Sequence, residues 1–282
     1  MNKKIFPLLK SSINSLVQNK EIFFPYCVLI FVQLFVLEIL YFMPRWPLVE
    51  FFGPIIRKLW SENYLHYPLN FALLPRFFQW AQIPIYILIS SFCIAMAINI
   101  IGRLNNARTV KMNSVFKETV GVYVHLIAVA ITSFVLVMLL FKVYELIFNR
   151  ALLIRSQSGI FFFFKSSIIN GAPYFNLLLS VLANTLLAYC IPIIVIEKKK
   201  FFAALILNFK TLFGSFWFTF IVIAIPSLFF VPILLLRNSL EAFSYIPEIT
   251  VMALVFSIFI TVMIDAVIYT ALTTFYLLKK EA

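Results

Sequence analysis

The chain has 282 residues, of which 63% are hydrophobic, 18% aromatic and only 12% charged, with 34 phenylalanines. No soluble domain of this length can hide so much apolar surface, so a water-soluble globular fold is excluded and lipid becomes the solvent. The net charge of +12 is scattered in small groups beside apolar runs, which argues against a nucleic-acid-binding face, since that needs a continuous basic patch.

The first element is "KKIFPLLKSSINSLVQNKEIFF". At helical spacing Ile5, Leu9, Ile13, Leu16 and Val17 share one face, opposite Lys10, Ser11, Asn14, Gln18 and Glu21, which predicts an amphipathic helix lying along a membrane surface. A first span follows at Ile22 to Phe42. It is too long for the apolar core of a signal peptide, lacks a small-residue cleavage site and ends in "YFMPRWP", so it is expected to be retained. Glu38 lies within it, about 24 Å along the helix from Ile22. Met43 to Gln82 then mixes Pro44, Pro47, Pro54, Pro68 and Pro75 with Trp46, Trp60 and Trp80. Prolines interrupt long helices and tryptophan prefers the headgroup level. This stretch is expected to form a surface-lying cap, a substrate lid being the weaker alternative. Ile83 to Ile101 returns across the membrane.

The second connection carries Arg103, Arg108, Lys111 and Lys117, with a shorter apolar stripe of Met112, Val115 and Phe116. The third span, Thr119 to Phe141, holds His125. "GIFFFFKSSI", at Gly159 to Ile168, reads as another surface-lying piece before the fourth span, Ala172 to Ile196.

The same grammar begins a third time with Lys198, Lys199 and Lys200, followed by a mostly apolar helix whose polar stripe is Asn208, Thr211 and Ser215. Phe201, Phe202, Leu205, Leu212 and Phe213 are expected to enter the acyl boundary, with Gly214 loosening the helix before the fifth span, Phe216 to Leu236. The sixth, Ile249 to Leu278, contains Asp265 and ends in Lys279 and Lys280.

The chain thus reads as an all-α integral membrane protein of six transmembrane helices and three amphipathic interfacial helices, in one membrane domain without a soluble domain. A weak threefold tandem repeat is expected, with units near 1–101, 102–197 and 198–282. Fourteen Lys and Arg residues lie on the side that holds both termini and nine on the other. This places both termini in the cytoplasm by the positive-inside bias. Lys3, Lys4, Lys10, Lys111, Lys198, Lys199, Lys200 and Lys210 become candidate contacts to anionic lipid headgroups.

"PIIVIEKKKFFAALILNFKTLFGSFW" resembles a stretch of bacterial membrane proteins related to the membrane domain of some glycerophosphodiester phosphodiesterases, and "VIYTALTTFYLLKK" is similar to that group's ending. Asn208 and Phe209 stand where that group commonly has Ser and Trp. The resemblance implies a multi-pass protein of the bacterial cytoplasmic (inner) membrane. It does not imply the phosphodiesterase reaction, which needs a soluble catalytic barrel with a metal site.

Catalytic signatures are missing from the sequence. His66 and His125 are far apart, and no HExxH, P-loop or GxSxG pattern occurs. Cys27, Cys93 and Cys190 all fall inside spans, at no metal-like spacing. No enzyme activity and no cofactor are expected. The remaining candidate polar site is intramembrane: Asp265 and Glu38 at similar predicted depths, and His125 about 11 Å nearer the inner surface. Two roles follow. The first is an accessory or organising protein acting through lipids or a membrane partner, with Asp265 merely packed and hydrogen-bonded. The alternative is a small proton- or cation-coupled transporter or channel using Asp265 and Glu38. A transporter needs a polar, water-accessible cavity at mid-depth; an organising protein would be closed there.

Overall fold

Among the described residues six helices are long and apolar enough to cross a membrane: Lys20–Tyr41, Asn70–Asn105, Met112–Leu152, Ala172–Glu197, Phe216–Leu235 and Glu248–Lys280. The computed structural model describes residues 5–153, 159–239 and 247–281, so the expected headgroup contacts Lys3 and Lys4 lie outside them. Each helix overlaps one expected span. Helices dominate because they satisfy their own backbone groups where no water can.

In chain order the elements are α1 (Ile5–Gln18), α2 (Lys20–Tyr41), α3 (Leu48–Leu59), α4 (Asn70–Pro84), α5 (Ser91–Asn105), α6 (Met112–Leu152), α7 (Gly159–Asn170), α8 (Ala172–Leu186), α9 (Cys190–Glu197), α10 (Phe201–Phe213), α11 (Phe216–Ser227), α12 (Val231–Ser239) and α13 (Pro247–Glu281). We call the end where α2 starts and α13 finishes the near end, and the opposite end the far end.

α5 is the central post. Nearly every residue from Ser91 to Ile101 is buried, with Ala95 and Ala97 letting neighbouring backbones approach. The packing follows a cyclic rule. The outgoing helix α2 sits between the returning helices α5 and α13, α6 sits between α5 and the α8/α9 pair, and α11 sits between α8 and α13. The returning helices α5, α9 and α13 touch one another. α1 lies against α13, α11 and α2, and α10 lies correspondingly against α9, α6 and α11.

Two expectations are corrected here. Met112, Val115 and Phe116 are not a separate interfacial helix but the first turns of the continuous 41-residue α6. No breaker stands between Met112 and Thr119, and extending a helix costs far less than starting a new one. Nor do prolines interrupt the second crossing, which runs unbroken from Asn70 through α4 and α5 to Asn105. Pro75 and Pro84 lie within α4, and the six residues after it, Ile85–Ser90, widen into a π-helix. A π-turn is a common way to absorb a disturbed hydrogen-bond ladder. The Tyr123 hydroxyl of α6 donates to the Leu88 carbonyl in that widened turn, at 2.9 Å.

At the far end α3 and a 3₁₀ turn at Glu62–Leu65 precede α4. The rings of Trp60, Phe77 and Trp80 pack together there. α7 is pinned to α6 by the Tyr144 hydroxyl, which donates to the Ile168 carbonyl at 2.7 Å.

Candidate functional sites

The fourth crossing is broken. α8 ends at Leu186 and α9 begins at Cys190, leaving backbone groups between them without helical partners. Asn208 of α10 answers both sides of the gap. Its side-chain oxygen accepts the Tyr189 N–H at 2.9 Å, and its side-chain nitrogen donates to the Leu186 carbonyl at 2.8 Å. Asn208 is fully buried. Tyr189, equally buried, shares a hydrogen bond of 2.6 Å between its hydroxyl and that of Thr219 on α11, and the Thr219 hydroxyl also lies 2.9 Å from the Ser215 carbonyl.

The polar residues Asn208 and Ser215 therefore face the protein and not the expected headgroup side. Asn208 and Ser215 point into the bundle, while Phe202, Ile206, Phe209 and Phe213 point away from it. Of the residues expected at the acyl boundary, Phe202 and Phe213 are exposed, Phe201 and Leu205 half-buried, and Leu212 buried against the protein. The polar stripe binds protein because the broken helix offers it backbone partners, which water need not supply. α1 shares this two-sided character: Leu9, Ser12 and Leu16 are buried, whereas Phe6, Ile13 and Val17 are exposed.

At mid-depth Asp265 is half-buried on α13. Tyr86 donates a hydrogen bond to Ser133 of α6 at 3.0 Å. The cavity beside Tyr86, Ser133 and Tyr269 measures about 20 Å³, the space of about one water. Glu38 is not brought to Asp265. It borders a largely apolar groove of about 460 Å³ together with Glu248, Val251 and Val255, and Val255 is about 15 Å from Asp265 along α13. His125 is half-buried on α6, two turns beyond Glu118. Equal depth counted from span ends failed for Glu38 and Asp265 because the two helices extend unequally beyond the membrane-length window.

A further polar cavity, about 200 Å³, lies in the far half of the bundle, bordered by Gln33, Gln79, Gln82, Ser257 and Thr261. Gln82 donates to Gln33 across α4 and α2 at 3.4 Å.

The densest charge cluster is at the near end. Glu118, one turn and a half into α6, accepts from Arg103 of α5 at 2.6 Å, from Lys198 at 3.2 Å and from Asn99 at 3.3 Å. Arg103 also donates to Ser114 at 2.6 Å and to Asn99 at 3.3 Å. Lys198 closes α9 in the left-handed conformation (φ 55°), which turns the chain toward α10. Beside this cluster opens a cavity of about 450 Å³. Glu197 forms a second tie, accepting from the Tyr276 hydroxyl at 2.7 Å and pairing with Lys280 at 3.3 Å. Lys279 donates to the Thr211 carbonyl at 2.7 Å. The expected headgroup contacts Lys10, Lys111, Lys199, Lys200 and Lys210 are all exposed, and Lys198 is exposed while paired with Glu118.

Arg103, Glu118, Asn99 and Asn208 carry this architecture, yet none stood out in the sequence as a site. The first two look there like ordinary span-end charges. For Asn208 a signal existed: an amide inside "ALILNFK" needs a partner. Among the described residues no group of three or more His, Cys, Asp or Glu side chains gathers as a metal site. Comparison with protein-family models, curated proteins and solved structures finds no match to this chain.

Proposed function

We propose that this is a multi-pass protein of the bacterial cytoplasmic membrane that works without catalysis, organising lipids or a membrane partner through its near end, which faces the cytoplasm. The observation that carries the reading is where the space lies. The near-end cavity is about 450 Å³ and lined by charge, whereas Asp265 borders neither the cavity of about 20 Å³ at Tyr86, Ser133 and Tyr269 nor the one of about 200 Å³ at Gln33, Gln82 and Thr261. The outward stripes of α1 and α10, flanked by Lys10, Lys200 and Lys210, fit helices seated in the acyl boundary with their amines at the headgroups. The cyclic packing of outgoing and returning helices supports the threefold repeat, with α1 and α10 as its equivalent interfacial helices and the middle one merged into α6. The likeness to glycerophosphodiesterase membrane domains is in keeping with this role.

One observation favours the transporter reading. The cavity of about 200 Å³ that Gln33, Gln82 and Ser257 border together with Phe78 and Leu254 reaches Thr261, one helical turn along α13 from Asp265. Reconstitution in liposomes with an interior pH or cation dye separates the two. Proton and cation flux equal to that of empty liposomes, with Asp265→Asn indistinguishable from wild type, is the expected result. Flux that Asp265→Asn abolishes while the protein stays folded would replace the organising role with transport.

A further inference from the structure

The near-end cavity has the chemistry of an anion site. Arg103, Arg108 and Lys198 border it against one carboxylate, Glu118, leaving a surplus of two positive charges. Glu118 does not cancel the site; it positions it. By accepting from both Arg103 and Lys198 it holds two cations of different helices at one wall, and Asn99 and Ser114 fix the plane of the Arg103 guanidinium. A held guanidinium loses little freedom when it binds an oxyanion, and its planar fork suits phosphate. Arg108 supplies the third cation from the exposed α5–α6 connection, and it takes part in no ion pair among the described residues.

The cavity also has a wall that leaves room. Gly102 borders it, and a Cβ there would meet only Ile196, at 3.8 Å. Volume is therefore kept free by the absence of a side chain. About 450 Å³ takes a phosphate together with a glycerol-sized substituent, and the place is the end of three apolar helices, where lipid headgroups lie.

We propose that this cavity binds a phosphate-bearing anion, held by Arg103, Arg108 and Lys198. The source is either the headgroup of an anionic lipid or a soluble phosphate. This inference rests on the reading of the near end as the working surface, but not on the absence of transport.

The test uses the full chain in an uncharged maltoside detergent, with thermal unfolding followed during titration by dioctanoyl phosphatidylglycerol, dioctanoyl phosphatidylcholine or inorganic phosphate, at constant ionic strength. Saturable stabilisation by phosphatidylglycerol but not by phosphatidylcholine is expected for a lipid headgroup; saturation by inorganic phosphate alone assigns the soluble source. Either supports the site. Arg108→Gln should weaken the half-saturating concentration about fivefold, the effect of about 1 kcal/mol per basic residue. Gly102→Leu should abolish saturation by filling the cavity. Arg108→Gln decides the matter, since it alters an exposed connection and leaves the Glu118 cluster intact. No saturation by phosphatidylglycerol or inorganic phosphate, equal saturation by phosphatidylcholine and phosphatidylglycerol, or a folded Arg108→Gln protein that binds as wild type does, would overturn the proposal. Neither outcome bears on the liposome flux measurement, so the failure of one reading is told apart from the failure of the other.

Discussion

Replacing Asn208 by Leu asks what one side-chain amide contributes to a six-span bundle. The substitution keeps four side-chain heavy atoms in the same branching, in a bulkier side chain, and removes two hydrogen bonds, one to the Tyr189 N–H and one to the Leu186 carbonyl. Both partners are backbone groups at a helix break, so neither regains an intrahelical bond unless α8 and α9 move. A buried polar group left unsatisfied costs about 1–3 kcal/mol, which sets the pair at about 2–6 kcal/mol. Interhelical polar contacts in membranes average nearer about 0.6 kcal/mol because partners can be exchanged; fixed backbone partners limit that exchange, so a loss of about 2–4 kcal/mol is expected. Denaturant titration of the purified chain in mixed micelles measures it. Asn208→Asp is a useful companion. It keeps the acceptor for Tyr189 but sets a carboxylate against the Leu186 carbonyl, so it should destabilise at least as much as Leu. A loss below about 0.5 kcal/mol for Asn208→Leu would refute the reasoning, because the break would then not depend on the amide.

Tyr189→Phe should cost less, about 0.5–1.5 kcal/mol, since Thr219 retains the Ser215 carbonyl as an acceptor; the same titration checks it. Glu118→Gln should cost about 1 kcal/mol or less, because the carboxylate is 42% exposed and solvent screens it, and the difference from wild type should shrink in high salt. Spin labels along α10 should report lipid contact at positions 202, 206, 209 and 213 and protein contact at 204 and 212; equal accessibility at all of them would refute the seating of that helix. Cysteine probes at Ser61 and Asn106 should label from opposite sides of the membrane, and from outside only Ser61; the reverse pattern would invert the proposed orientation.

Composition and run length alone determined that this chain is helical, with six helices among the described residues long and apolar enough to cross a membrane, because the cost of exposing backbone and apolar side chains to the wrong solvent is large and local to each segment. The near end of the fourth crossing followed from the same balance, since Lys198 to Lys200 stand where α9 stops at Glu197, whereas the second and third helices run past their expected ends, over Asn70–Asn105 and Met112–Leu152. Direction around each helix was a different matter. In α1 and α10 both the buried and the exposed stripe are apolar, so hydrophobic periodicity cannot tell which one meets the protein, and the polar residues Ser12 and Asn208 face inward. The partners that make an inward Asn208 favourable, the freed groups at Leu186 and Tyr189, lie about twenty residues away in sequence and exist only because α8 and α9 separate. Likewise Arg103, Glu118 and Lys198 flank two connections, each unremarkable by itself, and only the cyclic packing of α5, α6 and α9 converts three span-end charges into one lined cavity. Pairing of Glu38 with Asp265 was set aside by the same cause: depth within a span is read from its ends, but which residues meet is decided by how far each helix slides along its neighbour.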